Sequence, residues 1–274
     1  MAPEQAAIGI FDSGVGGLSV LRSIRRALPH EHLIYVADSG YAPYGDKSTE
    51  WIQARSQQII NFLLSQGCKA IVIACNTASV VAATVLRSLY TLPIIAIEPA
   101  IKPAAQQSKN GIIALMATAR TVASQQIENL CERYASGKQI LLIPCPGLAE
   151  LVEAGQLEHS GIQQYLHKKL APALEQKADT LILGCTHYPF LLPQIRAITG
   201  PMHIIEPSQA VAAQVQRRLA HIQAHSVSGN SGTLHMWTSA SHNKHILRQY
   251  LQDPEQIVHT LPEPLLPKKL AVTS

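Results

Sequence analysis

At 274 residues the chain has room for one large or two modest domains, because single cores stop growing beyond roughly 250 residues. Hydrophobic residues make up 47% of it, with no stretch near the ~20 apolar residues a bilayer needs, and an N-terminus carrying Glu4 and Asp12 without a basic flank does not read as a signal peptide; a cytoplasmic protein with no membrane role is expected. The net charge of +4 arises from 22 basic and 18 acidic residues spread along the sequence, without a Lys/Arg block, which argues against nucleic acid as the primary ligand.

Short apolar runs recur in chain order, each of strand length and each followed by a helix-like stretch, the pattern of parallel α/β architecture. The first four are Ala7 to Phe11 before Asp12, Leu33 to Ala37 before Asp38, Ala70 to Ala74 before Cys75, and Pro93 to Ile97 before Glu98. Four more follow: Ile112 to Ala117 before Thr118, Ile140 to Pro144 before Cys145, Leu181 to Gly184 before Cys185, and His203 to Ile205 before Glu206. The punctuating residues fall at nearly matching intervals in the two sets, and "IVIACNTA" faces "LILGCTHY". Two related α/β halves are inferred. Beyond them, Ala210 to Leu219 reads as a helix, and "LHMWTS" with "NKHILRQYLQ" as one further strand and helix returning to the first half.

Ligands of open parallel sheets collect beyond the carboxyl ends of strands. Two facing halves would therefore bring Cys75 and Cys185 to one cleft from opposite sides. The five cysteines are odd in number and contain no CxxC pair, so they read as free thiols without a disulfide framework or zinc site. Cys131 lies on the apolar stripe of Ile127, Leu130 and Tyr134, Cys68 follows a helix-to-strand turn, and Cys145 ranks below the other two. Six of the 12 histidines lie between His221 and His259 at irregular spacing, more in keeping with a surface than a metal site.

Two thiols flanking one small ligand suit removal of a proton from one face of a carbon and delivery of another to the opposite face. A thiol titrating near 8.5 is readily shifted, so one cysteine serves as thiolate base and the other as acid. Asn76, Thr77 and Ser79 after the first cysteine, and Thr186 and His187 after the second, supply hydrogen-bonding groups, although capping is the commoner role of any single hydroxyl. "FDSGVGGLS" is a glycine-rich turn that lets backbone N–H groups approach an anion, but it is neither a Walker loop nor a dinucleotide fingerprint. Asp12 reads either as a helix cap or as a carboxylate for a substrate ammonium. Tyr44 and Gly45 lie in a Pro/Gly loop that might equally be only a turn. Glu153, in "LAELVEAG", reads by default as a solvated helix residue, with a role at the cleft as the alternative.

"GIFDSGVGGLSVL", "PYGDKS" (43–48), "IVIACNTAS" (71–79), "PAIKPAA" (99–105), "ATARTV" (117–122) and "LILGCTHYPFL" (181–191) together resemble the glutamate racemases of the aspartate/glutamate racemase family, over most of the chain. The resemblance implies two pseudo-symmetric parallel-sheet domains, residues 1–98 with 209–274 and residues 99–208, with the active site in the cleft between them. It implies racemisation of glutamate without a cofactor, for peptidoglycan synthesis, with Cys75 and Cys185 as the paired acid and base. Asp12 and His187 are implied to assist the cysteines. Asp12, Ser13, Tyr44, Gly45, Asn76, Thr77, Thr118, Thr121, Glu153, Thr186 and His187 are implied to bind substrate. A peptidoglycan-precursor activator and a homodimer are further expectations. Two departures stand out: Ala117 replaces a glycine common in the family, and "DSGYA" replaces a loop that carries arginine in many members. The alternatives are a racemase of aspartate or another acid, a non-catalytic amino-acid- or nucleotide-binding module, and a thiol hydrolase.

Overall fold

The computed structural model describes residues 6–222, 224, 231–262 and 265; Glu4 and His225 lie outside them. The eight expected strands form as β1 (Ile8–Asp12), β2 (Leu33–Ala37), β3 (Ala70–Ile73), β4 (Ile94–Ala96), β5 (Ile112–Ala117), β6 (Gln139–Pro144), β7 (Thr180–Leu183) and β8 (His203–Ile205). β1, β2, β3 and β7 are buried along their whole length, which is why they read as continuous apolar runs and not as alternation. The tail adds β9 (Leu234–Thr238) and a short β10 (Val258–Thr260) that sequence patterning does not announce.

The strands divide into two sheets, both parallel throughout. The first has the order β10-β9-β2-β1-β3-β4 and the second β6-β5-β7-β8. Without the tail strands the first sheet repeats the second, β2-β1-β3-β4 against β6-β5-β7-β8, so the duplication inferred from spacing is present in the strand order. β3 lies beside β1 with Phe11 opposite Ile73, and β7 beside β5 with Met116 opposite Leu183. The residues just past β1 and β3 thus emerge side by side, as do those past β5 and β7.

The helices flanking the site are α1 (Leu18–Ala27), α2 (Thr49–Ser65), α3 (Asn76–Leu89), α4 (Ile101–Gln107), α5 (Ala119–Val122), α6 (Gln125–Tyr134), α7 (Leu148–Glu153), α8 (Gly161–Glu175), α9 (Leu192–Thr199), α10 (Ser208–His221) and α11 (Lys244–Leu251). Local chemistry sets several starts. Ser48 accepts the Trp51 N–H to cap α2, Thr118 accepts the Thr121 N–H to cap α5, and Ser124 caps α6 through Ile127. Apolar packing is continuous between the halves: one buried cluster runs from Ile10 and Leu18 through Val152 and Tyr188 to Leu181 and Leu183. Among the described residues no helix is long and apolar enough to cross a membrane.

The loop after β2 is fixed by a buried ion pair. Asp38 is fully buried and receives Arg55 through Nε at 2.8 Å and Nη2 at 2.6 Å, while Tyr44 Oη donates to it at 2.6 Å. Arg55 in turn donates to the Leu265 carbonyl at 2.7 Å. Removing one partner of such a pair strands the other charge in the interior. Arg55→Met should therefore cost about 3–5 kcal/mol of unfolding free energy, read as a lowered urea midpoint, with Asp38→Asn in the same background restoring part of it.

Candidate functional site

The two sheets meet carboxyl end to carboxyl end. Ser13, Tyr44, Gly45, Cys75, Asn76 and Thr77 of the first half face Thr118, Cys185, Thr186 and His187 of the second around one enclosed space. Pro43, which opens the "PYGDKS" motif, and Ala149, which no sequence signal marks, complete its wall; neither carries a titratable or polar side chain. The cavity measures about 10 Å³, room for one water molecule. An amino acid is several times larger, so its arrival requires the lining side chains to move apart. Cys75 and Cys185 are 4% and 6% exposed.

The first cysteine lies two residues beyond β3 and caps α3. Its Sγ accepts the Ala78 N–H at 3.4 Å and lies 3.6 Å from Ser13 Oγ. A sulfur at a helix N-terminus faces N–H groups that favour a thiolate, but this one is buried. Burial, reinforced by the nearby Asp12 carboxylate, pushes the Cys75 thiol up to about 12 despite those hydrogen bonds. In the closed site Cys75 is therefore a protonated thiol, the form of an acid.

The second cysteine has different company. Cys185 Sγ lies 3.6 Å from His187 Nδ1, and His187 Nε2 donates to Glu153 Oε1 at 2.6 Å. Burial opposes charge on the imidazole, but hydrogen bonds and charge from Cys185 and Glu153 outweigh it and hold His187 well above its ordinary value. An imidazolium so placed is a positive partner for the neighbouring sulfur.

Asp12, Thr121 and Glu153 stand behind the wall. Asp12 Oδ2 accepts the Thr186 hydroxyl at 3.0 Å and Oδ1 the Gly14 N–H at 3.0 Å. Burial raises its carboxyl from 3.8 to about 6, against the lowering effect of His187 and the Gly14 N–H. Thr121 belongs to a cluster joining the halves, in which Thr77 Oγ1 lies 3.0 Å from Thr118 and 3.3 Å from Thr121, with Thr118 donating to Thr121 at 2.9 Å. Glu153 is 8% exposed, not the solvated helix residue that is its default reading. Asn76 is buried with both amide atoms unpartnered, an arrangement that a bound polar ligand would satisfy.

The glycine-rich turn does receive an anion, and the anion is part of the protein. The Val15 N–H donates to Glu153 Oε1 at 2.6 Å. A Cβ on Gly14 would sit 1.7 Å from that oxygen, and one on Gly16 would sit 2.5 Å from both the His187 ring and Thr186 Oγ1. Tyr35 Oη pins the turn by donating to the Gly14 carbonyl at 2.6 Å. With the turn filled by Glu153, a nucleotide phosphate has no place there. Among the described residues no group of three or more His, Cys, Asp or Glu side chains is placed to hold a metal ion. Cys68 and Cys145 are buried, and Cys131 is half-buried on the stripe expected for it.

The pattern defining the Asp/Glu/Hydantoin racemase family matches residues 8–215, most of the chain and all of the cavity wall. The chain belongs to this family. A glutamate racemase of Pseudomonas aeruginosa is 50% identical over 242 residues, covering 88% of this chain and 91% of the relative. The crystal structure of a glutamate racemase isoform from Bacillus anthracis superposes with a TM-score of 0.84 at 30% identity, covering 96% of this chain and all of that one. An Escherichia coli glutamate racemase, crystallised with L-glutamate and the activator UDP-MurNAc-Ala, gives 0.82 at 32% identity, covering 94% and 98%. The expected α/β fold with two parallel-sheet domains, and membership of a racemase family, are thereby established.

Two outcomes follow from the packing of the turn. Gly14→Ala must displace Glu153 and should lower kcat by about 10²-fold, whereas Gly137→Ala, whose Cβ meets nothing within 4 Å, should cost only stability. The second concerns pH. Asp12 has a folded pKa of about 6 against 3.8, so its contribution to stability is full below 3.8 and is lost as pH rises through 6. His187, raised above 6.5, contributes fully throughout that window. The unfolding free energy of the wild type relative to Asp12→Asn should fall by on the order of 2 kcal/mol between pH 3.8 and 6, as read by urea titrations at fixed pH.

Proposed function

We propose that the chain interconverts L- and D-glutamate without a cofactor, by two-base proton transfer between Cys75, Cys185 and Cα. The reading is carried by one observation: thiols from equivalent positions of two duplicated halves line a single closed cavity. One thiolate takes the Cα proton, breaking the C–H bond and leaving its electron pair delocalised into the substrate carboxylate. The opposite thiol delivers its proton to the other face, and its sulfur becomes the thiolate. The reverse reaction starts from that swapped state. Burial favours Cys75 as the protonated thiol, and Cys185, 3.6 Å from His187 Nδ1, is assigned as the partner base.

A carbanionic transition state needs fixed donors and exclusion of water. Asn76, Thr77, Thr118, Thr186, Ser13, Tyr44 and Gly45 are assigned to substrate binding, with the orphaned Asn76 amide the best supplied for a carboxylate. Asp12 is assigned to the ammonium group through its place behind Thr186, Thr121 to the hydroxyl cluster, and Glu153 to holding His187. Residues 1–98 with 209–274 and residues 99–208 are assigned as the two domains. D-glutamate is the amino acid delivered to cytoplasmic peptidoglycan synthesis, and a peptidoglycan-precursor activator and homodimeric assembly are part of the same proposal. The choice of glutamate over aspartate rests on the relatives named above, whereas the chemistry of the cavity specifies a small α-amino acid.

Incubation with L-glutamate in deuterated water and no cofactor should abolish optical rotation and place solvent deuterium at Cα of the product. Cys75→Ala and Cys185→Ala should each lower kcat by about 10²–10⁴-fold or more with unchanged circular dichroism. Near-normal turnover in either variant, or product free of deuterium, would overturn the two-thiol mechanism; turnover of L-aspartate in place of L-glutamate would overturn the substrate.

A further inference from the structure

The tail does more than extend the first sheet. β9 pairs with β2, and α11 then crosses to the second half, where Tyr250 touches both flanks of the Glu153–His187 pair. Its hydroxyl donates to the Val152 carbonyl at 2.7 Å, immediately before Glu153. Its ring stacks on Phe190, three residues beyond His187, with centroids 4.5 Å apart and planes at 28°. One turn earlier on α11, Ile246 fits against Gly155, where a Cβ would come within 2.7 Å of its Cδ1. Tyr250 and Ile246 are both buried.

α7 has six residues, too few to hold a conformation without tertiary support. The carboxylate at its last residue must nevertheless meet an imidazole at 2.6 Å, and the two come from different segments. Tyr250 grips one of these segments with its hydroxyl and the other with its ring. Cys75 is held by Ser13, from the turn after β1, and by Ala78, in the first turn of α3, and the tail reaches that side at one remove, through the Leu265 carbonyl that accepts Arg55. The tail has no counterpart in the repeat, and its side-chain grip on both segments of one thiol's partners falls on the Cys185 side.

We propose that Tyr250 is a positioning residue for the Cys185 side of the site, fixing the separation of α7 and the 188–191 turn so that Glu153 meets His187 and His187 meets Cys185. This rests on the two-thiol reading above. It makes a near-symmetric enzyme asymmetric in a way that steady-state specificity conceals. Enantiomers have equal free energies, so kcat/KM remains equal in the two directions whatever the variant. A defect confined to one thiol has to appear elsewhere, in how far each proton transfer limits the rate.

The test uses the full chain with Tyr250→Phe, which keeps the ring and removes the donor to Val152. We expect kcat to fall about tenfold, within the cost of a small misplacement, with KM changed less than twofold. With Cα-deuterated substrates, the primary isotope effect on kcat/KM should grow for the enantiomer whose proton Cys185 removes and shrink for the other. Glu153→Gln should act in the same sense, and the double variant should fall short of the product of the single effects, as for groups acting through one another. An unchanged kcat, isotope effects that stay fixed or move together, or a multiplicative double variant would each overturn the assignment. If Tyr250→Phe does not fold, Phe190→Leu, which removes the stack from the other side, is held to the same outcomes. Turnover retained by Cys185→Ala would instead remove the two-thiol reading itself; an inert Cys185→Ala beside symmetric isotope effects in Tyr250→Phe would remove only the role of Tyr250.

Discussion

The structure turns on one carboxylate oxygen. Glu153 Oε1 accepts both the Val15 N–H of the first half and the His187 imidazole of the second, so a single atom ties the glycine turn after β1 to the residue facing Cys185. Burying a carboxylate is costly unless hydrogen bonds and opposite charge compensate, and here both are provided within the same contact. The contact exists because Gly14 has no side chain. The spacing of the glycines is thus a demand of packing between the halves, and their anion is supplied from within.

Duplication explains where the two thiols stand, and divergence explains why they differ. The same strand order places the ends of β1 and β3 opposite those of β5 and β7, with a cysteine after β3 and another after β7. Around this common frame the two halves have acquired different neighbours. Cys75 is buried near the Asp12 carboxylate, and both keep its proton on against the opposite pull of a hydroxyl and a helix N–H. Cys185 is set beside an imidazole tied to a carboxylate. Identical surroundings would make the two thiols equivalent; the differing neighbours set them apart.

Much of this was legible in the chain because buried parallel strands write themselves as uninterrupted apolar runs. β2, β5 and β8 have the bounds read from the sequence, and the other five are displaced by a residue at one or both ends, as is usual for element boundaries. The cysteines were legible from their equivalent places in the repeat. Glu153 was legible only as an alternative and through the family resemblance, since a glutamate on a short helix looks the same whether water or an imidazole faces it. Arg55 left a usable trace: with Ile52, Ser56, Ile59 and Ile60 it occupies the buried face of α2, and a charge on an apolar stripe calls for a buried partner, here Asp38. β10, three residues long, carries too little pattern to be read. The reach of α11 into the second half depends on tertiary packing that no local periodicity encodes.

The narrow cavity has a thermodynamic consequence for every molecule that binds there. A ligand must draw on the fraction of molecules whose cavity has widened, so its apparent dissociation constant is the intrinsic one divided by that fraction. The Thr77–Thr118–Thr121 cluster and the Glu153–Val15 contact, both bridging the halves, set that fraction. Interactions usually counted toward folding stability therefore also set affinity: strengthening the bridges would make the protein sturdier and its ligands weaker, without altering one contact that a ligand makes.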